Sequence, residues 1–166
     1  MVKGVEACSI PEQGLLRRYA NAHDFVDCYV VGVDRSVSLE QFVFAFYTTW
    51  LFKLERFVLR LVSKPSTDAH AQQLAAGSSD RFSAWDVEAR APEQLLMRDF
   101  RGNTRSWFMI AKCGGATRLY FGSAVIARTS TPQRRPVLGK RFRMLLAFHR
   151  LYSRLLLSAA EARLRR

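Results

Sequence analysis

The sequence predicts an α+β fold: an antiparallel sheet paired with a long C-terminal helix, with two shorter helices after the first strand. Three observations carry this. A strand-like run at 25–33 precedes a helical region, four strand-like runs follow one another between 82 and 128, and the last stretch, 138–164, has apolar residues at helical spacing. The 166 residues suit a single domain at 23–166, preceded by an irregular arm at 1–22, because a chain of this size builds its own core without disulfides or a structural metal.

In chain order, the arm is expected to hold a short turn or helix at Glu12 to Tyr19. Phe25 to Val33, FVDCYVVGV, is rich in β-branched and aromatic residues and is closed by Asp34 and Arg35. Ser38 with Gln41 three residues on is a capping box for a helix through Tyr47. Thr48 and Thr49 are weak helix formers, so a break is expected there, followed by a helix from Trp50 to Val62 that ends before Pro65. The polar stretch Lys64 to Arg81 reads as a connector with one helical turn near Ala69 to Ala75.

The four later strands are Phe82 to Arg90, Gln94 to Phe100, Arg105 to Lys112 and Thr117 to Arg128, with turns at Ala91-Pro92-Glu93, Arg101-Gly102-Asn103-Thr104 and Cys113-Gly114-Gly115-Ala116. With the first run they make five strands. Thr129 to Gly139, with Pro132 and Pro136, reads as a loop leading into the helix Leu138 to Leu164. On a wheel at ~100° per residue, Leu145, Phe148, Tyr152, Leu155 and Leu156 form an apolar arc that is expected to lie on the sheet.

Net charge is +12, and from Arg128 onward eleven Lys or Arg residues face the single acid Glu161. Such a run reads first as a solvated helix face, and affinity for polyanions or anionic lipid is expected to be non-specific and salt-sensitive, since the segment lacks the interleaved aromatics that stack bases. No specific nucleic acid is expected as a partner. The apolar region Leu39 to Val62 is interrupted by charges and leaves about twelve uncharged residues, where a membrane span needs ~20. The first residues, MVKGVEACSIPEQG, lack the apolar core of a secretory signal, so a cytoplasmic location is expected. Cys8, Cys28 and Cys113 have no C-x-x-C spacing, and Gly114-Gly115 precedes a strand rather than a helix, so neither a metal nor a nucleotide or other cofactor is expected.

The stretches FVDCYVV, VSLEQFVFAFYTTWLFKLERFVLRL, FSAWDVEARAPEQLLMRDFRGNTRSWFMIA and LYFGSAVIA, followed by the long helix, resemble the layout of an uncharacterised bacterial branch of the START, polyketide-cyclase and birch-pollen-allergen superfamily. The resemblance spans most of residues 20 to 164. It implies a helix-grip fold, a curved antiparallel sheet wrapped around the last helix, with a ligand cavity between them.

Strand parity then assigns faces. Trp85, Val87 and Ala89 are expected inward, with Asp86, Glu88 and Arg90 outward; Ser106, Phe108 and Ile110 inward; and Leu119, Phe121, Ser123 and Val125 inward. Trp107, Met109 and Tyr120 then fall on the outer face, where a homodimer surface is expected. Asp86 with Glu88, and likewise Asp27 and Asp99, read as solvated carboxylates. Ser123, in FGSAV, lacks the G-x-S-x-G elbow of a hydrolase nucleophile.

The candidate ligand-binding residues are Trp85, Phe108, Phe121, His149 and Tyr152, taken to approach one apolar pocket. His149 falls inside the helical apolar arc near Phe142, where it either bonds a strand group or meets polar ligand atoms. The expected function is binding of a small apolar or amphipathic molecule between sheet and final helix. A cyclase- or hydrolase-like enzyme using the same cavity, or a basic module contacting membrane surface or nucleic acid, are the alternatives. No catalytic motif is present, so a binding role is preferred to an enzymatic one.

Overall fold

The computed structural model describes residues 4–20, 25–61, 65–126 and 140–165, with side chains throughout these ranges except at 55, 58–61 and 140–147. Along them run β1 (Glu6–Ala7), a 3-10 turn (Leu15–Tyr19), β2 (Phe25–Val33), α1 (Leu39–Tyr47), α2 (Trp50–Leu61) and α3 (Asp68–Ala75). Then come β3 (Arg81–Phe82), β4 (Trp85–Ala91), β5 (Gln94–Asp99), β6 (Thr104–Cys113), β7 (Ala116–Val125) and α4 (Lys140–Leu164). The strands form one curved antiparallel sheet in the order β1-β2-β7-β6-β5-β4-β3, consistent with a helix-grip fold.

Local chemistry accounts for most of the boundaries. Ser38 accepts from the Gln41 amide while the Gln41 side chain accepts from the Ser38 amide, which starts α1. Thr48 and Thr49 turn their hydroxyls back onto the carbonyls of Phe44 and Phe46, ending α1, and Thr49 also accepts from the Phe52 amide at the start of α2. Gly114 and Gly115 both have positive φ, 52° and 86°, as a two-residue hairpin between right-twisted strands requires.

Several expectations need correction. Seven strands are present among the described residues rather than five, because β1 and β3 are two residues each and carry no readable alternation. The single turn expected at 69–75 is a two-turn helix, α3, started by a second capping box in which Thr67 and His70 exchange hydrogen bonds. Register shifts between Val87 and Ala89, a bulge that sends Ala89 to the face opposite Val87. The loop expected at 129–139 and the side chains of Phe142 and Leu145 lie outside the described residues.

The sheet buries both faces. On one, Tyr29, Val31, Val33, Leu95, Met97, Phe108, Ile110, Leu119 and Phe121 meet α1, α3 and α4. Helix α1 covers the middle of this face, inserting Phe42 and Phe46 one turn apart: the Phe46 ring lies 4.9 Å from Phe108 and 4.6 Å from Phe121. Helix α4 is thereby displaced toward the β2 edge, touching β2, β7, α1 and α2. Its buried stripe is Ser153, Leu156, Leu157, Ala160 and Leu164, whereas Phe148 and Leu155, expected in the apolar arc, face solvent.

The opposite face is closed by the chain's own N-terminal arm. Leu16 packs with Cys28, Leu96, Trp107, Met109 and Ala124. Gln94 ties the two layers, its Oε1 accepting from the Leu15 amide at 2.9 Å and from Trp107 Nε1 at 3.0 Å, while its Nε2 donates to the Gln13 carbonyl. Trp107 and Met109 do point outward, as parity required, but they are buried, so the exposed aromatics that suggested an outer-face dimer are not there. Glu88 is not a solvated carboxylate either: it pairs with Arg105 at 2.5 Å and accepts from the Tyr19 hydroxyl, anchoring the end of the arm.

Candidate functional site

Asp27 on β2 and Ser123 on β7 sit opposite each other in register. The Ser123 hydroxyl donates to Asp27 Oδ1 at 2.5 Å and its amide donates to the same oxygen at 3.2 Å. His149 of α4 places Nε2 2.7 Å from Ser123 Oγ. A hydroxyl has one proton, and here the carboxylate takes it, so the imidazole donates Nε2–H to the serine oxygen. The Tyr29 hydroxyl, two residues from Asp27 on the same face, reaches Asp27 Oδ2 at 3.4 Å. The result is a directed chain, His149 to Ser123 to Asp27, with Tyr29 on the second carboxylate oxygen.

This is not the order of a hydrolytic triad, in which the carboxylate orients the imidazole and the imidazole takes the serine proton. Ser123 is buried, and its proton is committed to Asp27. The chain therefore fixes α4 against β2 and β7. Asp27, expected to be solvated, is a partner of β7 instead. Asp99 is likewise engaged, accepting from the Thr104 and Arg101 amides across its hairpin.

Beside this chain lies a groove of about 720 Å³ where β1 ends and leaves the edge of β2. The arm forms one wall through Cys8 and Ile10, Val26 to Tyr29 form the floor, and α4 supplies the other wall through Arg150, Leu151 and Arg154. Arg150 lies 4.8 Å over the Phe25 ring, and Arg154 lies 5.9 Å over the Tyr29 ring while donating to the Val5 carbonyl at 3.2 Å. Neither guanidinium is in an ion pair with a carboxylate among the described residues. Burial, and then the charge of Asp27, push the Tyr29 phenol up to about 12, with Arg150 and Arg154 acting in the opposite sense.

Cys8 and Cys28, also on the groove, hold their sulfurs 3.3 Å apart, and the Cys8 amide donates to the Cys28 carbonyl. The contact draws the Cys8 thiol below its ordinary range and pushes the Cys28 thiol up, so Cys8 ionises first.

Four of the five residues expected to share a pocket belong to the core cluster on the α1 side of the sheet, Phe108 and Phe121 buried and Trp85 and Tyr152 partly buried against it. Phe108 and Phe121 are packed against each other and against α1, at 5.3 Å between rings. Trp85 lies 6.0 Å from Phe52, Tyr152 stacks on Phe148, and His149 is engaged by Ser123. Of the two outcomes expected for His149, the bond to a strand side chain is the one observed. None of the five lines the 720 Å³ groove, whose residues, apart from α4's, come from the arm and the β2 edge. The one available signal for this site was Arg150 and Arg154 one helical turn apart beside His149. Among the described residues no group of three or more His, Cys, Asp or Glu is placed to hold a metal ion, and no helix is long and apolar enough to cross a membrane. Searches of family profiles, curated proteins and solved structures find no match to this chain.

Proposed function

We propose that this protein binds a small amphipathic molecule with an anionic group, held in the groove between the N-terminal arm, the β2 edge and α4. The observation that carries this reading is the pair Arg150 and Arg154 on one wall of a 720 Å³ groove whose other surfaces include Ile10, Val26 and Leu151. The volume lies within the range of small-molecule sites, ~300–1,000 Å³. Among the described lining residues two guanidiniums stand against one carboxylate, that of Asp27, and planar guanidinium donors match a carboxylate or phosphate.

The reading keeps the ligand class expected from the sequence and moves the site from the middle of the sheet, which α1 fills, to its β2 edge. The layout shared with the helix-grip superfamily supports it only at the level of architecture. Native mass spectrometry of protein purified gently from its own host tests it. A non-covalent acidic adduct that disappears in Arg150→Gln/Arg154→Gln is expected. An adduct-free wild type, or an adduct equally retained by the double variant, would overturn it.

A further inference from the structure

Helix α4 buries one stripe and carries a second apolar stripe on its far side. Phe148, Leu151 and Leu155 recur at three- and four-residue spacing and lie about half a turn of the wheel away from the buried Ser153, Leu156 and Ala160. Helix α2, which touches α4, does the same: Phe52 is buried while Trp50, Leu54 and Phe57 point out. These six side chains range from 49% exposed at Leu155 to 73% at Trp50. Scattered exposed leucines need no explanation, but two helices in contact that each expose an aromatic and aliphatic stripe do.

The charge around the stripes selects what covers them. Arg150 and Arg154 flank the α4 stripe, and the one acid of α4, Glu161, is already paired with Arg165. From His149 onward the described basic side chains are Arg150, Arg154, Arg163 and Arg165 against the single acid Glu161. A second copy would bring cationic face to cationic face, whereas an anionic bilayer supplies the opposite charge and an apolar layer to receive the stripes. A tryptophan, phenylalanines and leucines beside arginines are the composition of an interfacial helix lying in the headgroup region.

We infer that α2 and α4 together form a surface that docks on anionic membranes, with Trp50, Leu54, Phe57, Phe148 and Leu155 entering the headgroup–acyl boundary and Arg150 and Arg154 meeting lipid phosphates. This goes beyond the groove reading: Arg150, Leu151 and Arg154 border both the groove and the stripe, but the five inserting residues do not line the groove, so the serine substitutions test docking without altering it.

Sedimentation with phosphatidylcholine vesicles, with and without about 30% phosphatidylglycerol, tests it. Binding to the anionic vesicles, partly kept at 0.5 M salt, is expected, together with a blue shift of tryptophan emission that is missing in Trp50→Phe. The variant Trp50→Ser/Phe57→Ser/Phe148→Ser/Leu155→Ser should partition at least about tenfold more weakly, with its circular dichroism unchanged, because these side chains are exposed. Three results would overturn the inference: no binding to anionic vesicles at 0.1 M salt; serine variants that bind as well as wild type, the mark of charge alone; or a wild-type dimer that the serine substitutions dissolve, the mark of a second copy covering this face. If the quadruple variant unfolds, the Trp50 emission shift on vesicles decides by itself, and its absence rejects insertion.

Discussion

Ser123 and Asp27 join β7 to β2 through side chains as well as backbone, the serine hydroxyl donating to the carboxylate over 2.5 Å while accepting from His149 on α4. Ser123→Ala should cost about 1–3 kcal/mol in chemical denaturation, since it leaves the imidazole N–H without its acceptor and the carboxylate with one donor fewer. His149→Leu should cost a similar amount. The double variant should lose clearly less than the two single losses combined, a coupling of at least about 0.5 kcal/mol. Strict additivity would show that the three groups do not act as a chain.

Tyr29 supplies an alkaline signature. Its phenol is pushed up to about 12, by burial first and by Asp27 next, against an ordinary value near 10. The folded state therefore keeps a proton that the unfolded state loses, so the contribution is complete below pH 10 and falls away as pH rises from 10 toward 12. Phenolate absorbance should show one tyrosine titrating about two units late, and Tyr29→Phe should remove that step and flatten the stability decline across the same window. An unchanged titration in Tyr29→Phe would refute the assignment.

Cys8 and Cys28 should form a disulfide under hydrogen peroxide. The Cys8 thiolate displaces hydroxide from the peroxide to give a sulfenic acid, and the Cys28 thiol then displaces water to close the S–S bond. Peptide mapping should find residues 8 and 28 linked, pinning the arm to β2, and Cys28→Ser should abolish the link. A map in which both remain free after a treatment that oxidises the exposed Cys113 would contradict the geometry.

Gly122 makes room for the arm. A methyl there would sit 2.6 Å from Leu16 Cδ2, 3.0 Å from the Asp27 carbonyl oxygen and 3.1 Å from Trp107 Cε3. Gly122→Ala should destabilise by about 1–3 kcal/mol and loosen Leu16 from Trp107, seen as a red shift in tryptophan emission. Wild-type emission and stability in this variant would mean that the arm does not seal the sheet.

Legibility follows sequence distance. The bounds of β2, the Ser38–Gln41 capping box, the break at Thr48–Thr49 and the Gly114–Gly115 turn depend on neighbours a few residues apart, and each could be read from the chain. The arm over the outer face depends on Gln94 reaching Leu15 and Gln13, about eighty residues away, and no local pattern announces it. The filling of the sheet's middle turned on Phe42 and Phe46, visible as an apolar pair but not assignable to a target. Helix α4 misled because it is apolar on two sides: periodicity finds both stripes and cannot tell which one is buried. The polar chain joins Asp27, Ser123 and His149 from three separate elements, so two of its members looked like ordinary strand residues.

Calorimetric titration with dodecanoate, against dodecanol of the same chain length, tests the groove most directly. Wild type should bind the acid at least about tenfold more tightly than the alcohol, the worth of one charge-assisted pairing with Arg150 or Arg154. In Arg150→Gln/Arg154→Gln that preference should vanish while the fold persists. Equal affinity for acid and alcohol in the wild type, or a preference that survives loss of both arginines, would contradict the assignment of this groove as a site for an amphipathic anion.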